Sequence, residues 1–228
     1  MVVDRTVIVT GGASGLGAAV ADVLADAGAT PVVLDLRAPR GAHEHHVVDL
    51  AEPRVAEETV RKVAERHGGL GAVVTCAAMD VPSPFADLDG DTWDRIVTVN
   101  LLGTAAVVRA ALPYLDNGHG RVVTVASTLG LRALPAATAY CASKFGIVGF
   151  TRALALELAG RVGVTMLVPG GMRTGFFDDR PDEFKPAPDQ MLNDPADVAQ
   201  AVLFALQQPP RCEIRELVVT PSVEPSWP

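Results

Sequence analysis

The chain has 228 residues, 49% of them hydrophobic and 20% charged, with a formal net charge of -8. That length and balance suit one globular domain with a substantial core, and they exclude a disordered or fibrous chain. The acidity, with no local cluster of Lys and Arg to offset it, argues against nucleic acid or an anionic membrane as a partner, because phosphate-rich surfaces repel it.

In chain order, Thr6–Thr10 reads as a strand by its β-branched enrichment. The small apolar residues Ala18–Ala27 read as a helix that Gly28 stops. Thr30–Asp35 and the short His46–Asp49 are strands. Pro53–His67 is a helix with Pro in its first turn and Gly68-Gly69 after it. Gly71–Thr75 is a strand, Asp91–Leu112 one long helix, Arg121–Ala126 a strand, and Thr138–Ala159 a helix. Val162–Val168 and Glu213–Thr220 are strands on either side of a helix at Pro195–Leu206. Strands apolar along their whole length are buried on both faces, and their alternation with helices implies βαβ units. The expected fold is therefore α/β: a single-domain, Rossmann-type, doubly wound parallel sheet with helices on both faces. Residues 175–194, carrying Pro181, Pro186 and Pro188, form the one long irregular stretch, read either as a lid or binding loop or as a disordered surface loop.

The first strand runs into Thr10-Gly-Gly-Ala-Ser-Gly-Leu-Gly17. Glycines at 11, 15 and 17 let the backbone turn tightly, approach a pyrophosphate and pack against the sheet. The N-terminus of the next helix, with Ser14 and Leu16 in the same loop, offers unpaired N–H groups to the phosphates. Asp35 ends the second strand, followed by Leu36. A carboxylate there accepts the adenosine ribose hydroxyls and repels a 2′-phosphate, which favours NAD over NADP. Arg37 is the residue that works against this preference. Asp49, followed by Leu50, is placed either to accept from the adenine amino group or simply to turn the chain at a strand end.

Tyr140 and Lys144, four apart on one helix, share a face. A free phenol titrates near 10, and a nearby ammonium favours the phenolate. Ser127 ends a strand thirteen residues before Tyr140, at the carboxyl edge of the sheet, where its hydroxyl is placed to hold a substrate oxygen beside the phenol.

Taken together, Thr10-Gly-x-x-x-Gly-x-Gly17, Asp35, Val99-Asn100-Leu101, Ser127, Tyr140-Cys-Ala-Ser-Lys144 and Pro169-Gly-Gly-Met-Arg-Thr174 resemble the short-chain dehydrogenase/reductase family over essentially the whole chain. The resemblance implies Tyr140 as general acid in reduction and base in oxidation. It implies Lys144 lowering the tyrosine pKa and holding the nicotinamide ribose, Ser127 orienting the substrate oxygen, and Asn100 bending its helix and holding a proton-relaying water. Pro169, Gly170, Met172 and Thr174 would line the nicotinamide. The family's Asn-Asn-Ala-Gly is replaced by Thr75-Cys76-Ala77-Ala78, so Cys76 lacks the amide that links neighbouring strands and Ala78 adds a methyl near the cofactor ribose.

The expected function is an NAD(H)-dependent ketoreductase-type oxidoreductase interconverting a carbonyl and a secondary alcohol. Met79, Leu129, Phe176 and Phe177 join Ser127 at the substrate. Two other functions compete: a catalytically weak NAD-binding regulator, and a non-redox epimerase or dehydratase. The long helices resemble those that build dimers and homotetramers in the family, so a homo-oligomer is expected.

No metal is expected. His43, His45 and His46 lie in a loop without a matching acid or thiol cluster, and the acidic run from Asp178 to Glu183 reads as solvated lid. Cys76, Cys141 and Cys212 form no CxxC pair, Cys141 being read as helix core, and they suggest free thiols in a reducing compartment. With no signal peptide and no apolar stretch of membrane-spanning length, a cytoplasmic location is expected. The Pro-rich tail from Pro221 to Pro228 is read as packing on a partner subunit or covering the sheet edge.

Overall fold

The computed structural model describes residues 5–115 and 119–227. Pro228, the last residue of the Pro-rich tail, lies outside them. Seven parallel strands run in the order β3-β2-β1-β4-β5-β6-β7. They are β1 (Thr6–Thr10), β2 (Thr30–Asp35), β3 (Glu44–Val47), β4 (Ala72–Thr75), β5 (Arg121–Val125), β6 (Gly163–Pro169) and β7 (Glu216–Val219). The helices are α1 (Gly15–Asp26), α2 (Pro53–Arg66), α3 (Gly90–Val97), α4 (Thr104–Ala111), α5 (Thr138–Glu157) and α6 (Pro195–Leu206).

The central strands are apolar throughout because both their faces are covered. Val7 and Val9 pack with Leu16, Val20 and Leu24 of α1 and Val198 and Val202 of α6. Ile8, between them, points the opposite way into a cluster with Val60 of α2 and Val107 of α4. All three are fully buried, and each such side chain stabilises the fold by about 1.5–3 kcal/mol. The sheet thus has the doubly wound form that the alternation of strands and helices implies.

Register places the site. Thr10 pairs with Leu34 on one side and Thr75 on the other, and Thr75 pairs with Thr124. The loops after β1, β2, β4 and β5 therefore leave the sheet at one edge. Between β1 and β4 the winding reverses, which opens the crevice where ligands of such sheets bind.

Several boundaries differ from the periodicity. The expected helix over Asp91–Leu112 is α3 and α4 joined by a π-helical turn, Thr98–Gly103. A Cβ on Gly103 would lie 2.8 Å from Leu50, so glycine lets this turn pass close to the segment after β3. The third strand is Glu44–Val47 rather than His46–Asp49, alternating half-buried and exposed as an edge strand. The last strand shortens from Glu213–Thr220 to Glu216–Val219, because only four of its residues pair with β6. Helix α1 starts at Gly15 rather than Ala18, bringing two glycines of the loop into its first turn. Against the expectation that no stretch reaches membrane-spanning length, Gly90–Tyr114 is 25 residues long with a mean hydropathy of 1.6 in its most apolar window. More than half of that window is buried within the protein, as in a core helix.

Candidate active site

The glycine loop forms a cradle that side chains would fill. Gly11 has φ +71°, and a Cβ there would come within 2.7 Å of the Ala77 backbone. At Gly17 a Cβ would lie 2.2 Å from the Gly11 carbonyl oxygen, so the first turn of α1 sits directly against the loop. The Ala77 amide donates to Thr10 Oγ1 at 3.1 Å, tying the β1 and β4 loops together. Ser14 precedes α1 as an exposed residue, its side chain making no capping hydrogen bond among the described residues. The cradle fits a pyrophosphate: bare backbone, a helix N-terminus and no side chain in the way.

Asp35 accepts from the Ala13 amide at 3.0 Å and from the Arg37 amide at 3.0 Å. Its carboxylate is thereby fixed at the end of β2, facing the glycine loop, and Arg37 is exposed. Asp49 accepts from the Ala51 amide at 2.8 Å and from Arg95 at 2.8 Å, so the strand-end turn is formed. Burial opposes its ionisation, but these donors hold its carboxyl below the usual range. Leu36 is 56% exposed beside the crevice. The Leu50 side chain is buried in the core against the π-helical turn.

At the carboxyl edge of β5 the hydroxyls of Ser127 and Tyr140 share a hydrogen bond, and Ser127 also accepts from the Leu129 amide at 3.1 Å. Lys144 is buried, donates to the Val125 carbonyl at 2.9 Å, and lies 5.5 Å from the Tyr140 ring centroid. Burial pushes its ammonium down to about 8, with the Cys76 thiol pulling the other way. The Tyr140 phenol is pushed up to about 12. Burial of the hydroxyl is the largest cause, Ser127 and Arg180 lower it, and Asp80 raises it. Lys144 is not among the groups that shift the phenol here, and its amine is bonded to the Val125 carbonyl. Cys76, beside Lys144, is likewise pushed up to about 12 by burial, so it is an inert thiol. The neighbouring Thr75 hydroxyl is buried with no hydrogen-bond partner among the described residues.

Asn100 sits in the π-helical turn, almost fully buried. It accepts from the Met79 amide at 2.8 Å and donates to the Met79 carbonyl at 2.9 Å and to Ser143 Oγ at 3.1 Å. Its amide thereby grips the β4 loop and α5 together. Ser143 donates in turn to the Tyr140 carbonyl at 2.7 Å. This chain of bonds fixes the backbone under Tyr140.

Thr174 lies over the glycine loop, its Cβ 3.4 Å from where a Cβ of Gly15 would stand. Its hydroxyl accepts from the Phe176 amide at 3.3 Å and so caps the short turn that opens the 175–194 loop. Met172 packs in the core and bridges to Asn193, while Pro169 and Gly170 carry the end of β6 to it. Phe176 faces Tyr140 with ring centroids 5.9 Å apart, and Phe177 meets Phe176 edge-on at 5.6 Å. Met79 and Leu129 are half-buried on the β4 and β5 loops. Ala78, beside Met79, is half-buried at the same edge.

Two groups escape a motif search. Arg180 of the 175–194 loop pairs with Asp80 at 2.8 Å. The tail folds onto its own chain: Glu224 accepts from the Gly171 amide at 2.9 Å, and Ser226 shares a 2.7 Å hydrogen bond with Thr128, next to Ser127. Both join residues about a hundred or fifty positions apart with no periodic signal. Two histidines of the β3 region have acid partners: His43 meets Asp22 at 2.8 Å and His46 meets Glu44 at 3.4 Å.

This constellation is that of a family. The family model described as short chain dehydrogenase matches residues 5–184, and the chain belongs to that family of oxidoreductases. It is 34% identical over 196 residues to the D-beta-hydroxybutyrate dehydrogenase of Rhizobium meliloti, covering 78% of this chain and 76% of that protein. An uncharacterized oxidoreductase of Staphylococcus saprophyticus is 30% identical, covering 96% of this chain and 97% of that one. Among solved structures, a short chain dehydrogenase from Burkholderia cenocepacia in complex with NADP superposes with a TM-score of 0.83 at 27% identity, covering 96% of this chain and 97% of that chain. A glucose/ribitol-type short-chain dehydrogenase/reductase from Brucella melitensis gives 0.84 at 27% identity, covering 96% of each chain.

Proposed function

We propose that the protein is an NAD(H)-dependent dehydrogenase that interconverts a carbonyl and a secondary alcohol. The observation that carries this reading is the hydrogen bond between Ser127 and Tyr140 above buried Lys144, at the same sheet edge as the glycine cradle. Gly11, Ser14, Gly15, Leu16 and Gly17 would hold the pyrophosphate, and Asp35 the adenosine ribose with Leu36 beside it. Asp49, Cys76, Ala77 and Ala78 flank the adenosine and ribose side. Pro169, Gly170, Met172 and Thr174 line the nicotinamide side, and Lys144 is the ribose donor. The bound dinucleotide supplies or accepts a hydride.

The rest falls to this chain. Ser127 and Tyr140 place two hydroxyls on one substrate oxygen. A phenol held near 12 keeps its proton at neutral pH, so Tyr140 enters reduction as an acid and gives its proton to the oxygen as negative charge develops there. In oxidation it takes the proton back. Phe176 over the Tyr140 ring excludes water from the transfer. The name of the Rhizobium relative supports chemistry at a hydroxyl-bearing carbon.

The preference for NAD rests on Asp35, whose carboxylate repels a 2′-phosphate where its backbone donors hold it. The intact Ser127, Tyr140 and Lys144 set weighs against a regulator without turnover. Phe145 and Leu156, 46% and 80% exposed, are eleven positions apart on one face of α5, which supports a homo-oligomer. The three free cysteines support a reducing, cytoplasmic setting.

Initial rates with NADH and NADPH against a panel of carbonyl compounds, wild type beside Tyr140→Phe, test the reading. It requires turnover with NADH that the substitution abolishes. Preference for NADPH would reverse the assignment of Asp35, and net turnover in neither direction would favour the epimerase or dehydratase.

A further inference from the structure

The lid carries a buried ion pair that the dehydrogenase mechanism does not use. Asp80 Oδ2 and Arg180 Nη2 are 2.8 Å apart, with side chains 4% and 14% exposed. The guanidinium carbon lies 4.9 Å from the Phe176 ring centroid and 4.7 Å from that of Phe177. Phe176 in turn faces Tyr140. Asp80 follows Met79, whose backbone Asn100 grips on both sides. The pair therefore joins the β4 loop to the lid right beside the reacting phenol, and both its charges are felt there, Asp80 raising the phenol and Arg180 lowering it.

Buried ion pairs add little net stability, because desolvation offsets their attraction, which leaves room for a role other than stability. The pair presents a cation already neutralised. Around it the lid is acidic, with carboxylates at 178, 179, 182 and 183, and Lys144 is turned to the Val125 carbonyl. A substrate carboxylate brought against Arg180 would be a second anion beside buried Asp80 with no charge left to compensate it. Arg180 Nε, by contrast, is a buried donor with no partner among the described residues. An uncharged oxygen satisfies such a donor at no charge cost.

Resting on the dehydrogenase reading above, we infer that the substrate is an uncharged carbonyl or alcohol rather than an oxo or hydroxy acid, and that Asp80 is the residue that enforces this by neutralising Arg180. Asp80 does not touch the reacting atoms. It sets specificity through Arg180, and removing its charge while keeping its shape frees the guanidinium for a carboxylate, the group Arg binds best.

The test compares an oxo acid with its methyl ester, two ligands that differ in charge. Calorimetric binding in the presence of dinucleotide is measured beside kcat/KM, for wild type, Asp80→Asn and the doubly uncharged Asp80→Asn/Arg180→Gln. Wild type is expected to bind and turn over the ester at least tenfold better than the acid. Asp80→Asn moves that ratio toward the acid by tenfold or more, mainly through KM, and the double variant, which loses the Asp80 charge but has no guanidinium to offer, moves it by less and does not reverse it. A merely structural pair would lower both ligands alike and leave the ratio unchanged. Wild type preferring the acid, or folded Asp80→Asn keeping the wild-type ratio, overturns the inference. If Asp80→Asn does not fold, the double variant, free of a lone buried charge, must show the ester preference diminished but not reversed; a ratio equal to wild type overturns it there too. Binding is read independently of turnover. Ester preference in binding without any carbonyl reduction would therefore keep the charge rule and reject the dehydrogenase.

Discussion

Lys144 lies 5.5 Å from the ring centroid of Tyr140, yet its ammonium donates to the Val125 carbonyl at 2.9 Å rather than to the phenol. The two side chains of the motif thus share a helix face and have opposite responses to burial: the amine is pushed down to about 8 and the phenol up to about 12. Neither favours its charged form.

The phenol is open to direct observation, since the chain has two tyrosines, Tyr114 and Tyr140. In Tyr114→Phe, the ultraviolet absorbance of phenolate should stay absent below pH 10 in the protein without dinucleotide. A transition between pH 7 and 9 would mean that Lys144 controls Tyr140 after all.

Lys144 should leave its mark on stability. Its folded pKa of about 8 lies below the ordinary 10.5, so between those values the unfolded chain binds the extra proton and stability rises with pH. Tyr140 acts in the opposite sense at higher pH: the native state keeps a proton that the unfolded chain loses, and stability falls from about pH 10 to 12. Urea unfolding from pH 7 to 10 should show the rise in wild type, and Lys144→Met should flatten it.

The glycine cradle makes a prediction separable from chemistry. Gly17→Ala puts a methyl 2.2 Å from the Gly11 carbonyl oxygen, and Gly11→Ala combines φ +71° with a contact to Ala77 backbone. Each should cost about 1–3 kcal/mol of stability. Each should also abolish most of the rise in Tm that dinucleotide confers, as thermal unfolding with and without NADH would reveal. Gly149→Ala, where a Cβ meets nothing within 4 Å, serves as the control.

The C-terminal tail makes another. Glu224 holds the Gly171 amide and Ser226 holds Thr128, so the tail clasps the loops on both sides of the site. A carboxylate–amide bond of this kind contributes about 1.5–3 kcal/mol. Truncation after Pro221 should raise KM for the carbonyl substrate several-fold and lower Tm, with Glu224→Ala reproducing most of the effect. Unchanged kinetics in both would make the tail a mere cover.

What the sequence conveyed depended on how local the signal was. Strands such as Thr6–Thr10 were legible because burial on both faces leaves nothing but β-branched and apolar residues, and the glycines at 11, 15 and 17 because backbone conformation demands them. The π-helical turn around Asn100 was not, since periodicity over Asp91–Leu112 continues through one extra residue in a turn. The burial of the Leu50 side chain against that turn is likewise set by packing between segments about fifty residues apart. Asp80–Arg180 and Glu224–Gly171 join distant segments, and only the folded chain brings them together. For a related reason, helix spacing shows that Tyr140 and Lys144 share a face, but the bond of Lys144 Nζ to Val125 and the depth of burial belong to the tertiary structure.

The central claim is that Tyr140 moves a proton while a dinucleotide held by this fold moves a hydride. Reduction of the carbonyl panel with NADH deuterated at C4 tests it most directly, with product deuterium read by mass spectrometry in wild type and Tyr140→Phe. The account predicts one deuterium on the carbinol carbon in wild type. In Tyr140→Phe it predicts a rate lower by about 10²–10⁴ with dinucleotide binding retained. Product without deuterium, or a Phe variant as fast as wild type, would contradict it.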